Sequence, residues 1–182
     1  MAEPMQVMDV QAFRRDYPVW LEKARPALNE KRWKDAFALG YPYPRNEQIP
    51  WTPVIKSLAE SRLGLLTTAG LYLKESQPAF DAFNYEGDWT HRLIPLGSPA
   101  QALSIAHDHY DHTSALADLN SVFPADRLRE LVAEGVVKEV LPTAFSISGY
   151  CTRADQIAEV TAANAVEFFR KGAVDAVLLV PV

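Results

Sequence analysis

Two apolar runs constrain the fold of this chain more than any other feature of its sequence. Arg62–Thr67 is short and largely apolar and leads into the small residues of Thr67–Gly70, while Val174–Val180 is apolar apart from Asp175 and rich in β-branched residues. Runs of this kind are typical of buried strands in a parallel sheet. The amphipathic segment Arg153–Lys171, which stops at Gly172, predicts a long helix directly before the second run. The pattern predicts an α/β domain with a mostly parallel sheet flanked by helices, in which Val174–Val180 is a central strand.

The region between the two runs continues the alternation of strands and helices. Leu93–Leu96, Ser104–Ala106 and Val136–Leu141 predict further strands. Pro124–Glu134 predicts a helix, because a proline suits its first turn and apolar residues recur along one face. Ligands of such sheets bind beyond the carboxyl ends of the strands.

The first fifty residues predict a helical appendage. Asp9–Leu39 carries aromatic and apolar residues at helical spacing, but Pro18 and Pro26 interrupt it, so we expect two or three short helices. The stretch from Tyr41 to Pro53 predicts an extended connector. We therefore divide the chain into a helical appendage with its connector over 1–50, packed on the main domain or on a partner, and an α/β domain over 51–182.

Charge and composition exclude several classes of function. With a net charge of −5 over 182 residues, the chain lacks the basic face of a nucleic-acid-binding protein. Its N-terminus does not have the pattern of a signal peptide, and no apolar stretch is long enough to span a bilayer. The single cysteine, Cys151, allows no internal disulfide and is typical of a reducing compartment. We therefore expect a cytoplasmic protein that binds neither nucleic acid nor membrane.

The densest chemistry lies at His107–His112, which contains three of the four histidines in the sequence H-x-H-x-D-H. Histidine and aspartate hold metals and move protons near neutral pH. The same pattern begins the two-metal site of metallo-β-lactamase-type hydrolases, but no histidine follows His112 to complete such a site. A single-metal site remains an alternative, and a structural alternative is that Asp108 or Asp111 caps a helix beginning near Thr113.

The carboxyl edge of the predicted sheet collects the remaining candidate residues. We expect Thr67–Gly70, the histidine run and the residues that follow Val182 to meet there. Thr67 and Thr68 are candidates to bind a substrate carboxylate through their hydroxyl and backbone N–H groups.

A series of segments spans most of 51–182: Thr67–Leu73, Gly87–Asp88, Arg92–Pro95, His107–His112, Asp118–Pro124, Asp126–Leu131, Glu134–Gly135, Gly149–Tyr150 and Gly172–Leu179. In content and order this series resembles the selenoprotein B family of glycine, sarcosine, betaine and D-proline reductases, and it is most similar to the D-proline reductase branch. The resemblance implies an oxidoreductase that reductively cleaves a carbon–heteroatom bond, of the C–N type, in a small amino-acid-like substrate. A dithiol or thioredoxin-like reductant is implied as well.

The family places its nucleophile, a selenocysteine or cysteine, just after the last strand, which corresponds to a position just beyond Val182. A chalcogen anion with a low pKa is a strong nucleophile at neutral pH. We therefore expect a reductase-like domain over 51–182 that is truncated before this residue, through a selenocysteine codon read as stop, an artificial boundary or a natural loss. The resemblance also implies a homo-oligomer or a reductase complex, in some relatives with a pyruvoyl group on a partner subunit.

The resemblance makes His107, His109 and His112 candidate catalytic groups that donate protons or orient the substrate beside the chalcogen. Asp111 would orient one of these rings, and Tyr110 would donate a hydrogen bond. A non-catalytic ligand-binding or assembly subunit of the same family is the alternative to an enzyme.

Cys151 is the one thiol in the sequence. It precedes the long predicted helix, and a helix N-terminus lowers the pKa of a thiol. We nevertheless predict that Cys151 is a small apolar residue without special reactivity, because the family places its nucleophile just beyond the position of Val182.

Overall fold

The computed structural model describes residues 9–44 and 51–182, and its N-terminal part is a helical hairpin of α1 (Val10–Asn29) and α2 (Trp33–Ala38). Asp9 caps α1 by accepting a hydrogen bond from the Ala12 amide at 2.9 Å. One face of α1 is buried, and its residues recur at helical spacing: Phe13, Tyr17, Trp20, Ala24 and Leu28.

The expectation that prolines divide this segment into two or three short helices is wrong for α1. Pro18 and Pro26 both lie inside this 20-residue helix, and both are exposed. The carbonyl groups that lose a partner belong to Arg14 and Glu22, which are exposed as well, so water can bond them. The buried aromatic face then supplies packing that offsets the two missing backbone hydrogen bonds. Beyond α2, residues 41–44 and 51–57 contain no helix or strand, as predicted for the connector, and 45–50 lie outside the described residues.

The hairpin packs on the main domain through polar contacts around a buried threonine. The hydroxyl groups of Tyr17 and Thr152 lie 2.8 Å apart, and the Tyr41 hydroxyl donates to the Thr152 carbonyl oxygen at 2.8 Å. Arg14 on α1 pairs with the buried Asp155 at 3.5 Å. Of the two positions expected for the appendage, the structure therefore has the one on the main domain.

The main sheet is built around β1 (Arg62–Thr67), which is paired along both edges. β7 (Ala176–Val180) runs parallel to one edge, and β5 (Glu139–Val140) and β6 (Thr143–Ile147) share the other, also in parallel. β3 (His91–Pro95) adds to β6 in the antiparallel direction. The predicted α/β class with a mostly parallel sheet is confirmed.

Helices cover both faces of this sheet. α4 (Ala125–Ala133) packs on the face that carries Leu63 and Leu65. α6 (Ala162–Lys171) packs on the opposite face, where a Cβ on Gly64 would come within 2.5 Å of the Phe169 ring. Glycine is therefore required in β1 for α6 to approach the sheet this closely.

The two helices predicted in the main domain are confirmed. α4 corresponds to Pro124–Glu134, and Arg153–Lys171 corresponds to one continuous helical segment in which α5 (Ala154–Gln156) and a π-helical turn (Ile157–Thr161) precede α6. The predicted strands at 93–96 and 136–141 overlap β3 and β5, although β5 is only two residues long. The remaining short elements are α3 (Thr113–Ala117) and 3₁₀ turns at Leu58–Glu60, Ala100–Ala102 and Leu119–Ser121.

The prediction of a central strand at Val174–Val180 is wrong in its position. The strand exists, but β1 is its only strand partner among the described residues, so β7 lies at an edge of the sheet. Leu178 and Leu179 remain 40% and 63% exposed. An apolar run indicates what a strand needs to bury, but it does not specify the order of strands in the sheet.

The predicted strand at Ser104–Ala106 belongs to a separate ribbon. β4 (Leu103–Ile105) pairs in the antiparallel direction with β2 (Leu71–Leu73), which the sequence pattern does not predict. The ribbon begins after Gly70, whose φ of +68° turns the chain out of β1. The histidine run therefore follows a ribbon rather than a strand of the main sheet. In the described part of the chain, no helix combines the length and the apolarity needed to cross a bilayer.

Candidate functional site

Three loops meet at the carboxyl end of β1. A Cβ added to Gly149, in the loop after β6, would lie 3.0 Å from His107 Nε2 and 3.1 Å from both the carbonyl oxygen and Oγ1 of Thr68. A Cβ added to Gly70 would lie 2.6 Å from the Ala106 carbonyl oxygen. The absence of side chains at both glycines lets the histidine run, the end of β1 and the loop after β6 come into direct contact.

The end of β7 joins the same place. The Thr68 amide donates to the Val180 carbonyl oxygen at 3.1 Å, and the Val182 amide donates to Thr68 Oγ1 at 3.0 Å. The structure thus brings Thr67–Gly70 and the histidine run together at this edge, as expected, with Val182 beside Thr68.

His107 is the one histidine of the run that is fully buried, with 5% of its surface exposed. Its Nδ1 accepts a hydrogen bond from the His109 amide at 3.2 Å, so the proton of the neutral ring lies on Nε2. Within the described residues, this Nε2–H has no acceptor. Burial, followed by the neighbouring His109 and His112, lowers the pKa of His107 to about 4. At neutral pH the site therefore contains a neutral, preoriented and unused hydrogen-bond donor.

His109 is held in an aromatic stack. Its ring lies on Tyr150 at a centroid distance of 3.8 Å and an angle of 6°, and Trp33 of α2 approaches its ring at 4.6 Å. Burial lowers the pKa of His109, which favours its neutral form. The Nε2 atom of His109 is buried and has no partner in the described part of the chain.

The other residues of the run make bonds that shape the loop. His112 Nε2 donates to the His107 carbonyl oxygen at 2.7 Å. Oδ1 of Asp111 accepts from the amide and hydroxyl of Thr113 at 2.9 and 2.6 Å, but the N-cap of α3 is His112, which makes no side-chain capping bond. The Tyr110 hydroxyl points to the Ala69 carbonyl oxygen at 3.4 Å, and burial raises the pKa of Tyr110 to about 12.

The two threonines at the end of β1 have different environments. Thr67 is fully buried, and its hydroxyl donates to the Val122 carbonyl oxygen at 2.7 Å while accepting from the Ala69 amide at 3.2 Å. Its side chain is fully engaged within the protein. Thr68 is half-buried, and its Oγ1 faces Val182. Of the two candidates for substrate binding, the structure leaves only the Thr68 hydroxyl a proton to donate.

Cys151 lies near the three loops, but its environment does not activate it. Burial is the main cause that raises the pKa of its thiol to about 11, and the nearby helix does not reverse this effect. Its Sγ lies 3.8 Å from the Arg153 carbonyl oxygen. These observations agree with an unreactive cysteine at this position.

Two ring nitrogens of the histidine run bond to backbone atoms of the loop. His107 Nδ1 and His112 Nε2 are both engaged in loop hydrogen bonds. No group of three or more metal-ligating side chains is found within residues 9–44 and 51–182. A cavity of about 610 Å³ lies between the β2–β4 ribbon, α3 and the start of α4, and of the candidate site residues only His112 lines it.

Sequence reasoning missed the contribution of the N-terminal hairpin to the site. Trp33 contacts both His109 and Tyr150, and Lys31 Nζ pairs with Asp108 of the histidine run at 2.9 Å. The sequence pattern could not predict these contacts, because the hairpin and the histidine run are far apart along the chain. The side chain of Tyr150 was missed as well, although Gly149-Tyr150 was among the segments that resemble the family.

Comparison with known proteins identifies relatives for most of the chain. Residues 22–182 match the model of the family described as glycine/sarcosine/betaine reductase selenoprotein B. The D-proline reductase subunit gamma of Acetoanaerobium sticklandii is 32% identical over 129 residues, which cover 71% of this chain and 52% of that protein. The glycine reductase complex component B subunit gamma of Symbiobacterium thermophilum is 29% identical over 158 residues, which cover 86% of this chain and 37% of that protein.

A third relative is named for sarcosine rather than for D-proline or glycine. The sarcosine reductase complex component B subunit beta of Peptoclostridium acidaminophilum is 24% identical over 129 residues, which cover 70% of this chain and 30% of that protein. The chain therefore spans about half, or less, of the length of these relatives. No solved structure matches the chain.

Proposed function

We propose that this chain, which belongs to the glycine/sarcosine/betaine reductase selenoprotein B family, forms part of a site that reductively cleaves a C–N type bond of a small amino-acid-like substrate. The relatives are named as subunits of D-proline, glycine and sarcosine reductases, which supports a role associated with such reductases. The proposal extends to a reductase complex or homo-oligomer in the cytoplasm, with a dithiol or thioredoxin-like reductant.

One observation carries this proposal. The Val182 amide bonds to Thr68 Oγ1, and this hydroxyl and the Nε2–H of His107, which has no partner among the described residues, both border the Cα of Gly149, where a Cβ would lie 3.1 and 3.0 Å from them. A residue just beyond Val182 would therefore emerge next to two hydrogen-bond donors, since the Thr68 hydroxyl retains its own proton. Two donors of this kind suit a selenolate or thiolate anion, because hydrogen bonds to a charged form stabilise it and lower its pKa.

The family's selenocysteine or cysteine would supply the nucleophile and the centre that the reductant later regenerates. The residues of this chain would prepare its surroundings. His107 would donate Nε2–H to the anion or to a polar group of the substrate, with its orientation set by the His109 amide and by the bond from His112 to its carbonyl oxygen. A pyruvoyl group on a partner subunit, as some relatives use, would act from outside this chain.

The test uses the chain extended beyond Val182 by a tail that carries cysteine or selenocysteine, with D-proline, glycine and sarcosine as substrates and a dithiol as reductant. We expect reductive cleavage of the C–N bond, which opens the ring of D-proline and releases ammonia from glycine and methylamine from sarcosine. The rate should fall about 100-fold for His107→Ala, as for the removal of one aligned donor. His107→Gln keeps an N–H donor and should retain more activity. His91→Ala is the matched control, because His91 lies in β3 and stacks on Phe145.

The proposal would fail if the extended chain, alone and mixed with the reductase subunits of a relative, cleaved none of these substrates. It would also fail if His107→Ala and His91→Ala had the same rate as the unsubstituted chain.

A non-catalytic subunit of the same family is the second candidate. It is favoured by the raised pKa of Cys151, since this is the only thiol in the sequence and it is not activated. Calorimetry separates the two candidates: substrate binding that is unchanged by the added tail, without any turnover, would favour the non-catalytic role.

A further inference from the structure

The N-terminal hairpin contacts the two residues that follow His107 in the chain. The His109 amide donates to His107 Nδ1 at 3.2 Å, so the backbone at 108–109 decides which nitrogen of the neutral His107 ring carries the proton. Lys31 Nζ in the turn between α1 and α2 pairs with Asp108 at 2.9 Å. Trp33 in the first turn of α2 contacts the ring of His109. The hairpin therefore holds the short segment on which the orientation of His107 depends.

Trp33 lies across the edge of the stack that fixes the His109 ring. The rings of His109 and Tyr150 are parallel within 6° at a centroid distance of 3.8 Å. The Trp33 ring lies 4.6 Å from His109 and 5.3 Å from Tyr150, at angles of 58° and 59°. A ring on the outer face of His109 would be much farther from Tyr150, so Trp33 bridges both rings from the side. Tyr150 is itself anchored, because its hydroxyl donates to the Tyr85 carbonyl oxygen at 2.8 Å.

Of the two contacts that the hairpin makes with the histidine run, that of Trp33 is the stronger. Lys31 and Asp108 are 59% and 45% exposed, and water and salt screen an ion pair in such a position. Lys31 also has a φ of +56°, a conformation that is unfavourable for a residue with a side chain and offsets what the pair contributes. The Trp33 side chain is half-buried, and its two aromatic contacts do not depend on charge.

We infer that Trp33 is a positioning residue for His107: by holding the ring of His109 in its stack, it keeps the His109 amide directed at Nδ1 and the donor of His107 on Nε2. Without Trp33, the amide can turn away, and either ring nitrogen of His107 can then carry the proton. The consequence for catalysis rests on the proposed function, in which His107 donates to the reacting anion or to the substrate. The consequence for the His107 ring does not, and it can be measured in the chain without an added tail.

Nuclear magnetic resonance of chains with ¹⁵N-labelled histidine tests this role, because the shifts of the ring nitrogens report which of them carries the proton. At neutral pH we expect only the Nε2–H form of His107 in the unsubstituted chain. In Trp33→Ala we expect a second, Nδ1–H form at about one tenth of the population or more. Trp33→Phe keeps an aromatic ring and should restore the single form. The signals that His107→Gln removes identify the ring.

Phe37→Ala is the matched control for lost hairpin packing. Phe37 lies one turn further along α2, and its ring packs on Trp20 and Tyr41 within the hairpin. This variant should keep the single Nε2–H form of His107. A second form of equal size in Phe37→Ala and Trp33→Ala would overturn the role, because any loss of packing in the hairpin would then have the same effect.

Circular dichroism shows whether each variant folds. If Trp33→Ala does not, Trp33→Leu takes its place, because leucine keeps apolar bulk but has no flat ring to hold the stack, and the same second form is expected. A single Nε2–H form in a folded Trp33→Ala or Trp33→Leu chain would overturn the role of Trp33.

A double-mutant cycle in the tail-extended chain relates this role to turnover. We expect Trp33→Ala to lower kcat about 10-fold when His107 is present but less than about 2-fold in a His107→Ala background, because a positioning residue acts through the group that it positions. Phe37→Ala should change kcat by less than about 2-fold in either background. An equal loss from Trp33→Ala in both backgrounds would overturn the role of Trp33 and leave that of His107 intact. If His107→Ala itself left kcat unchanged, the proposed function would fail, and the shifts of the ring nitrogens alone would decide whether Trp33 positions His107.

Discussion

At the scale of single residues, His107 combines burial, a defined tautomer and a donor with no acceptor in the described chain. A buried polar group without a partner costs about 1 to 3 kcal/mol, so such groups are retained mainly where they have a use. The His109 amide keeps the donor on Nε2, and the glycine at 149 gives it access to Thr68. This combination makes His107 the strongest candidate among the three histidines of the run.

The lowered pKa of His107 predicts how stability depends on pH. Its pKa is about 4 when folded, against 6.5 for an unperturbed histidine, so between these values only the unfolded chain binds the proton. The free energy of unfolding should therefore fall as pH drops from about 6.5 to about 4, by on the order of 2 kcal/mol from this group. Urea denaturation across this range should show the loss in the unsubstituted chain and a smaller one in His107→Gln. Equal pH dependence in the two proteins would contradict the prediction.

Gly149 should tolerate no side chain. A Cβ there meets His107 Nε2 and the Thr68 backbone at 3.0 and 3.1 Å, so Gly149→Ala should cost about 1 to 3 kcal/mol through displacement of these groups. Gly97→Ala is the control, because nothing lies within 4 Å of a Cβ at Gly97, and it should change stability by less than about 0.5 kcal/mol. Chemical denaturation of both variants checks this, and similar values for the two would show that the contact at Gly149 can relax.

At the scale of elements, the N-terminal hairpin is part of the site rather than a separate appendage. It reaches the histidine run through Trp33 and Lys31, and it is tied to the main domain at Thr152. An amphipathic pattern reveals the buried face of α1 but not the surface against which that face packs.

Loss of one hydroxyl group tests this docking. Tyr41→Phe removes the hydrogen bond to the Thr152 carbonyl oxygen in a buried position and should destabilise the protein by about 1 kcal/mol or more. Tyr43→Phe is the matched control, because Tyr43 is 64% exposed, and it should have almost no effect. Thermal denaturation measures both variants. An unchanged melting temperature for Tyr41→Phe would mean that this bond does not hold the hairpin in place.

At the scale of the whole molecule, the hairpin and the α/β domain should unfold together. Aromatic packing, the Thr152 contacts and the Arg14–Asp155 pair link the two parts. Cooperative units of this size usually show a single transition. Tryptophan fluorescence, to which Trp20 and Trp33 of the hairpin contribute, and far-UV circular dichroism should report the same urea midpoint. A fluorescence transition at lower urea would identify the hairpin as an independently unfolding part.

The sequence by itself determined several of the elements and the edge of the sheet at which two of the candidate segments meet. Apolar runs and helical spacing are local signals, so they predicted β1, α4 and the helical segment that ends at Lys171. Parallel strands bring their carboxyl ends to one edge, so Thr67–Gly70 and the histidine run were expected to meet there, and Thr68 and His107 lie on either side of Gly149.

Only the tertiary structure decided the position of β7 at the sheet edge, the β2–β4 ribbon and which histidine keeps an unused donor. These features depend on pairing and burial between segments distant in the chain, and residue spacing does not encode such contacts.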